Sequence, residues 1–511
     1  MTASAPASRN RLVLAGYALT VFISSALLLV LEIVAGRLVA PYVGVSLYTW
    51  TSVIGVILAG LSLGNWLGGV WADRGGSGRS VGLVLAAGGV YCMLSLALID
   101  GLGAALQQNG ASLLAASFLF AAVLFFVPAA LIGVVTPLLT TLALRLDSRA
   151  GHVVGRMHAL AAVGSIAGTF AAGYWLVQTL GSRTVVLATG LMLLLLAAPF
   201  LWPAGRGIKL AIGAAVAAAA GLLVLRGSLA DSCDRESSYF CIRVVDRSAD
   251  VPFGEARGLV LDHLLHGINH RQDPSLLIAP YVHAIDELVH AQFGDAYEKG
   301  LRWFFAGGGA YSQPRAVQTL SPASEITVAE LDPEVTLTAA EQLFLDPGVM
   351  RIVHRDARLA LRDEPGPFDA IVGDVFHDVA IPQHLVTQEF AALVRRRLTP
   401  DGLYVMNVVD AFPDPRLIKA IARTLATEFR HVDIWMDGPP QAARVTFVVT
   451  ASDGRRLPKT VTARSGPPRV WARMTEDLMA FGTAPDQLPL LTDDFAPTER
   501  LIADLLLGDG H

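Results

Sequence analysis

Hydrophobic positions along this chain follow two regimes. From residue 12 to residue 226 they come in long unbroken runs, and from residue 231 they come in short runs that alternate with polar positions. The long runs cover 12–35, 48–71, 80–100, 112–144, 154–178, 184–203 and 208–226. Each is near the roughly 20 residues that a helix needs to cross a bilayer, so the pattern predicts a multi-pass helical bundle over 1–228. The fourth run is overlong and holds Pro128 and Pro137. It is expected to kink, or to break into two half-spans. Gly60, Gly64 and Gly68 recur at four-residue intervals, as do Gly164 and Gly168. That spacing lets helices pack closely in lipid.

The polar half reads differently. Runs at 239–245 and 258–262 predict paired strands, which makes 229–300 a small β-region. From 301 onward, periods of two and of 3.6 alternate. Strands are expected at 301–306, 325–330, 351–354, 368–373, 402–409, 431–436 and 444–450. Helices are expected at 314–320, 333–345, 387–398 and 415–429. This alternation is the signature of a Rossmann-like α/β domain over 301–511.

Composition supports the division. Of 511 residues, 53% are hydrophobic and 16% charged, and the mean hydropathy is +0.51. A soluble domain carries about a quarter charged residues, so part of the chain belongs in a membrane. The net charge of -5 and the lack of a basic tract exclude a nucleic-acid partner. Three cysteines are too few for a disulfide scaffold or a multi-cysteine metal site. Cys92 falls in an apolar run, as a packed thiol would. Cys233 and Cys241 lie just after the last run, where a disulfide is expected if that side is oxidising. No cleavable signal peptide is expected, because the first apolar run is too long and lacks a cleavage site.

Candidate chemistry gathers at 301–332. An apolar strand pattern, Trp303 to Ala306, stops at Gly307-Gly-Gly309, and about twenty residues later a second strand ends on Glu330. Glycines let a ligand approach the backbone, and an acid at the next strand tip can accept both ribose hydroxyls. The pattern therefore points to an adenosine-type ligand; a plain strand-to-helix turn is the bland alternative. Asp356 and Asp374 also follow expected strands and so line the same crevice. His263, His266, His270 and His283 form no recognised ligand motif and are expected to be polar or substrate-lining, with no metal. In the apolar half, Glu32 and Arg37 sit five apart, either as a functional pair or in the headgroup layer. The stretch Gly64 to Arg74 resembles one loop of major facilitator transporters, or is simply a charged helix end.

Beyond these local patterns, the polar half resembles the spermidine synthases, polyamine aminopropyltransferases of the class I methyltransferase fold. The matching stretches are Glu236-Ser-Ser-Tyr239, Leu261-Asp262, Tyr281, Gly307-Gly-Gly309, Glu330-Leu-Asp332, Asp356-Ala357, Asp374 and Thr387-Gln-Glu-Phe390. They lie in the family's order over about 235–410. The whole chain is similar to that family's membrane-fused form, including Glu32-Ile-Val-Ala-Gly-Arg37 and Leu491-Thr-Asp-Asp494. The resemblance implies an α-helical transmembrane bundle, then a small β-region and an α/β class I methyltransferase-like (Rossmann-like) domain. It implies that Gly307, Gly309, Glu330 and Asp356 bind decarboxylated S-adenosylmethionine or S-adenosylmethionine, that Asp374 is the general base, and that Tyr239, Tyr281, His377 and Asp378 meet the polyamine substrate. The implied setting is a multi-pass cell-membrane protein in the lipid bilayer, for which a homo-oligomer is compatible.

Three departures stand out. Soluble synthases carry an acid directly after the three glycines, where this chain has Ala310. They carry a glutamine after the Ser-x-Tyr motif, where it has Phe240. They carry a second acid three residues after the base, where it has His377, followed by Asp378. Both amine grips are altered while the adenosine site is kept. A methyltransferase using S-adenosylmethionine therefore stays open as an alternative, as does a transporter or sensor whose polar half binds a polyamine or nucleoside.

Orientation follows from the Arg and Lys bias. With seven spans and a cytosolic N-terminus, the inner loops hold Arg9, Arg11, Arg74, Arg79, Arg145, Arg149, Arg156, Arg206 and Lys209, against Arg37, Arg183 and Arg226 outside. The polar half then lies outside the cytosol. Two half-spans in the fourth run would reverse this, and a cytosolic cofactor supply argues for the reverse. A phosphatase fused at the C-terminus is expected to be active, as only exported phosphatase is; an inactive fusion, beside an active cytosolic reporter at the same point, overturns that side.

Overall fold

The computed structural model describes residues 5–108, 112–230, 233–376, 380–438 and 442–507. The chain divides into two compact units, residues 1–238 and 239–511.

Among the described residues, seven helices of the first unit are long and apolar enough to cross a membrane: Arg9–Val43, Leu47–Asp73, Gly78–Leu106, Leu113–Leu144, Ala150–Leu180, Ser182–Leu201 and Arg206–Arg226. The fourth run does not break into halves. It widens into a π-turn at Ala122–Phe126, just ahead of Pro128. A proline has no N–H to donate, and its ring crowds the carbonyl one turn back; a π-turn accommodates both without ending the helix.

The small-residue stripes are contact faces. A β-carbon on Gly64 would lie 2.0 Å from the Ala130 carbonyl oxygen, and one on Gly68 2.8 Å from that of Val134. Gly164 and Gly168 meet the carbonyls of Phe22 and Ala26 in the same way, both at 2.2 Å. Where helices end, polar groups take over. Tyr42 donates to Asp100 Oδ1 (2.6 Å), and Arg183 both pairs with Asp100 (2.7 Å) and donates to the Ser228 carbonyl (2.8 Å). Arg37, which the sequence offers as a partner for Glu32, donates to the Ser237 carbonyl (2.7 Å) and has Nε 3.7 Å from Glu236. The Ser182 amide donates to the same Glu236 carboxylate (2.8 Å). A two-residue strand, β1 (Arg235–Glu236), carries that carboxylate. Cys92 is a buried free thiol, and Cys233 and Cys241 are disulfide-bonded.

The second unit opens with an antiparallel meander, β2 (Cys241–Asp246), β3 (Ala256–Leu261) and β4 (Leu264–His270). The helix Pro280–Phe293 follows. It leads into the strands β5 (Arg302–Ala306), β6 (Glu325–Ala329), β7 (Arg351–Val353), β8 (Phe368–Gly373), β9 (Leu398–Ala411), β10 (His431–Asp437), β11 (Arg444–Ser452), β12 (Thr460–Thr462) and β13 (Val470–Arg473). They form one sheet in the order β12-β13-β10-β11-β9-β8-β5-β6-β7. The β7-β6-β5-β8-β9 part is parallel, and every pairing beyond β9 is antiparallel.

Central strand β5 is apolar on both faces, as a strand with helices on either side must be. Trp303 and Phe305 stack on one face with centroids 5.5 Å apart, and Phe304 meets Phe368 on the other at 5.3 Å. All three β5 aromatics are buried, each stabilising the fold by roughly 1.5–3 kcal/mol.

The glycine contacts generate a stability test. Gly64→Ala forces two helix backbones apart, an overpacking cost of about 1–3 kcal/mol. Gly55→Ala meets nothing within 4 Å and serves as the control. Thermal unfolding of the detergent-purified full chain is expected to shift down for Gly64→Ala and to stay put for Gly55→Ala.

Candidate active site

Strand register sets the site. Ala329, Ala306, Gly373 and Met406 stand in one row across β6, β5, β8 and β9. The next row, at the carboxyl ends, is therefore Glu330, Gly307, Asp374 and Asn407. The chain order reverses between β5 and β8, which is where doubly wound sheets open a ligand crevice.

Gly307 has φ +91°. A β-carbon there would sit 2.3 Å from the Asp374 carbonyl oxygen, so no other residue lets β5 and β8 run on side by side. The turn that follows presents its amides to Glu330. Oε2 accepts from Gly308 N (2.8 Å) and Gly309 N (3.3 Å), and Oε1 accepts from Asp332 N (2.9 Å). Glu330 is only 7% exposed. Burial pushes its carboxyl above the ordinary range, and the three amide bonds pull against that shift.

Asp374 is held from two sides. Asn407 Nδ2 donates to Oδ1 (2.9 Å), and the Tyr281 hydroxyl donates to Oδ2 (3.3 Å). Burial raises its pKa, and both hydrogen bonds act the other way. Tyr281 comes from the helix Pro280–Phe293, and its own hydroxyl is pushed up by burial and by the nearby Asp374 charge. Beside Tyr281 opens a cavity of about 330 Å³, lined among others by Trp435, Met436, Asp437, Arg444 and Trp471.

Gly307, Glu330, Asp374 and Tyr281 are thus brought together, with Gly309 in the same turn. Asp356 is engaged elsewhere. Its Oδ1 caps the helix Ala357–Asp363 by accepting from Leu359 N (3.1 Å), and its Oδ2 lies 2.7 Å from His384 Nε2. Tyr239 is 42% exposed, with its ring 6.4 Å from that of Phe240. His377 and Asp378 lie outside the described residues. The histidines divide by role. His263 and His266 are held neutral, with pKa values pushed down to about 4 chiefly by burial. His270 bridges the Phe253 carbonyl (2.5 Å) and the Asp273 amide (2.9 Å). His283 sits 3.5 Å from Glu287. Ala310 is buried, and its carbonyl accepts from Asn269 (2.6 Å).

Asn407 is the site residue that the sequence reading passes over. Its one signal is a lone amide in the apolar run Leu403 to Val409. The C-terminal acids also find a place: Asp493 pairs with Arg358 through two 2.7 Å contacts and accepts from Thr387 (2.8 Å), the cap of the helix Gln388–Arg397.

This crevice, with an acid at each of two strand ends around a glycine turn, defines the class I methyltransferase-like fold. No family model matches the chain. Polyamine aminopropyltransferase 2 of Streptomyces coelicolor is 28% identical over 521 residues, covering 94% of this chain and 86% of that protein. Polyamine aminopropyltransferase 1 of the same organism is 25% identical over 88% of this chain and 86% of its own length. A protein of Bifidobacterium longum described as a probable polyamine aminopropyl transferase is 27% identical over 213 residues, and that match spans 47% of its length. Among solved structures, a probable spermidine synthase from Corynebacterium glutamicum gives a TM-score of 0.42 at 24% identity, over 49% of this chain and 94% of that one. Over nearly its whole length, then, the chain is similar to proteins named polyamine aminopropyltransferases.

Asp356 generates a test of its capping role. Asp356→Ala is expected to cost about 1 kcal/mol of stability through the lost cap. The His384 hydrogen bond, with the Leu359 amide behind it, holds the Asp356 carboxyl below its ordinary range. A lowered acid stabilises fully above its unfolded pKa of about 3.9, and that contribution is lost as pH falls through the folded value. Chemical denaturation of the parent and the variant, from pH 7 downward, is expected to show the gap closing under acid.

Proposed function

We propose that the second unit is an aminopropyltransferase, moving an aminopropyl group from decarboxylated S-adenosylmethionine to a diamine such as putrescine. The observation that carries this reading is Asp374. It is a buried carboxylate at the crevice, hydrogen-bonded on both oxygens, in one row with the glycine turn and Glu330.

Attack requires a neutral amine, and Asp374 is the group positioned to take its proton. Tyr281 and Asn407 fix the carboxylate so that it faces the substrate in one orientation. Asn407 Oδ1 is buried without a hydrogen-bond partner among the described residues, and an amine N–H would satisfy it. Gly307 and Gly309 keep side chains away from the donor, and Glu330 turns its carboxylate from the glycine amides to the ribose hydroxyls. Asp356 lies at the adenine end, next to the edge strand β7. Tyr239, His377 and Asp378 complete the amine side. In the step itself the amine nitrogen bonds to the propyl carbon next to the sulfonium, the carbon–sulfur bond breaks, and sulfur keeps the electron pair and leaves as a neutral thioether. The helical unit holds this enzyme in a bilayer.

One observation favours methyl transfer from S-adenosylmethionine as the second reading. Ala310 is buried where an amine-gripping acid would stand, so the donor's amino end meets no carboxylate at that position.

Asp374→Asn keeps the shape and most hydrogen bonds but cannot take a proton. Turnover with putrescine is expected to fall by about 10²- to 10⁴-fold, with donor affinity nearly unchanged. Because burial raises the Asp374 pKa, the base form is lost as pH falls through that raised value. The acid limb of kcat/KM should therefore lie above the ordinary aspartate range and vanish in the variant. Full activity of Asp374→Asn rejects the role; tight donor binding with no amine turnover in the parent protein favours the methyltransferase.

A further inference from the structure

The first and fifth helices of the first unit run parallel, since Gly164 lies on Phe22 and Gly168 on Ala26, an equal step along both. At that level the backbones touch. Counting back along both helices brings Arg11 level with Val153. There the close contact ends, since Gly151 and Gly155 meet nothing within 4 Å, and a cavity of about 650 Å³ opens between the helix ends.

The lining of this cavity is cationic. Arg11 comes from the first helix, Arg149 directly precedes the fifth, and Arg156 stands within that helix's first two turns. His152 lies between them. The one carboxylate in the lining is Asp147, and Arg149 already holds it through contacts of 2.8 and 3.1 Å. That leaves the charges of Arg11 and Arg156 unopposed by any carboxylate of the lining. The helix Ala150–Ala171 begins here without a side-chain cap, so its free amides and positive dipole end add to the attraction for an anion. The floor is apolar: Leu14, Leu146 and Met157.

We propose that this cavity binds the phosphodiester headgroup of an anionic phospholipid, with the phosphate on Arg11 and Arg156 and the glycerol end of the acyl chains over the apolar floor. A basic pocket between helix ends on the Arg-rich side of a bundle is the arrangement that recognises such headgroups. A free phosphate or nucleotide shares the charge chemistry but leaves the floor uncovered. The proposal rests on reading the seven helices as membrane spans.

The test is native mass spectrometry of the full chain in a mild detergent, titrated with phosphatidylglycerol, phosphatidylcholine or inorganic phosphate. Phosphatidylglycerol is expected to bind in preference to phosphatidylcholine. Arg11→Gln with Arg156→Gln should weaken it about tenfold or more. Arg74→Gln, at a helix end outside the cavity, should leave it unchanged, and Arg11→Lys with Arg156→Lys should restore most of the binding. Equal binding of both lipids, full affinity in the glutamine pair, or no recovery with lysine overturns the proposal. Displacement of the lipid by equimolar phosphate makes this a soluble-anion site and overturns the lipid assignment. Recovery of the chain in the soluble fraction without detergent overturns the membrane reading, and the proposal with it.

Discussion

The second unit depends on a contact that only a missing side chain permits. The parallel strands continue their ladders one residue past their regular ends: Asp374 N donates to the Ala306 carbonyl between β8 and β5 (3.0 Å), and Gly307 N donates to the Ala329 carbonyl between β5 and β6 (2.9 Å). The Asp374 carbonyl then occupies the space where a β-carbon of residue 307 would stand. Everything at the crevice inherits that spacing. Glu330 reaches the glycine amides because the turn starts at that row, and the Asp374 side chain reaches Asn407 because β9 is in register with it. A residue with a side chain at 307 would not remove one contact; it would lift the row.

The helical unit uses the same device for another purpose. Lipid gives no hydrophobic drive for helices to associate, so close backbone packing has to supply the attraction. Gly60, Gly64 and Gly68 bring one pair of helices together, and Gly164 and Gly168 another. Gly89 and Gly190 bring the third and sixth helices into the same kind of contact. At one end of the unit, Asp100, Arg183, Arg37 and Glu236 fill the space with ion pairs. At the end where the first and fifth helices begin, it stays open.

Much of this was legible in the residues, and the failures have physical causes. Strand β5 and its glycine stop are where the pattern puts them, because a strand buried on both faces leaves a run of apolar residues with no polar break. The pairing of β2 with β3 is equally plain. Strand β4 and the helix Pro280–Phe293 were hidden, because histidines at 263, 266, 270 and 283 drew attention to their chemistry rather than to their period. Those histidines are structural or neutral: His270 ties a loop and His283 packs edge-on to Trp471. The short helix Ala357–Asp363 was hidden for the opposite reason. Asp356 stands after β7 as the strand pattern expects, and it also caps that helix, which is too short for its period to announce. Asn407 could not be found from spacing at all, since its partner Asp374 is thirty-three residues away and only the register of β8 with β9 joins them.

The long strand β9 is the seam of the sheet: parallel to β8 on one edge and antiparallel to β11 on the other. The crevice residues Gly307, Glu330 and Asp374 stand on the parallel side, while Trp435, Met436, Arg444 and Trp471 of the neighbouring cavity belong to the antiparallel side. Tyr281 and Asn407 touch the same carboxylate from those two directions. The crevice and the cavity beside Tyr281 thus stand on the parallel and the antiparallel part of a single sheet. Changes in the hairpins beyond β9 can therefore reshape the cavity beside Tyr281 while leaving the glycine turn and the parallel strands that carry it in place.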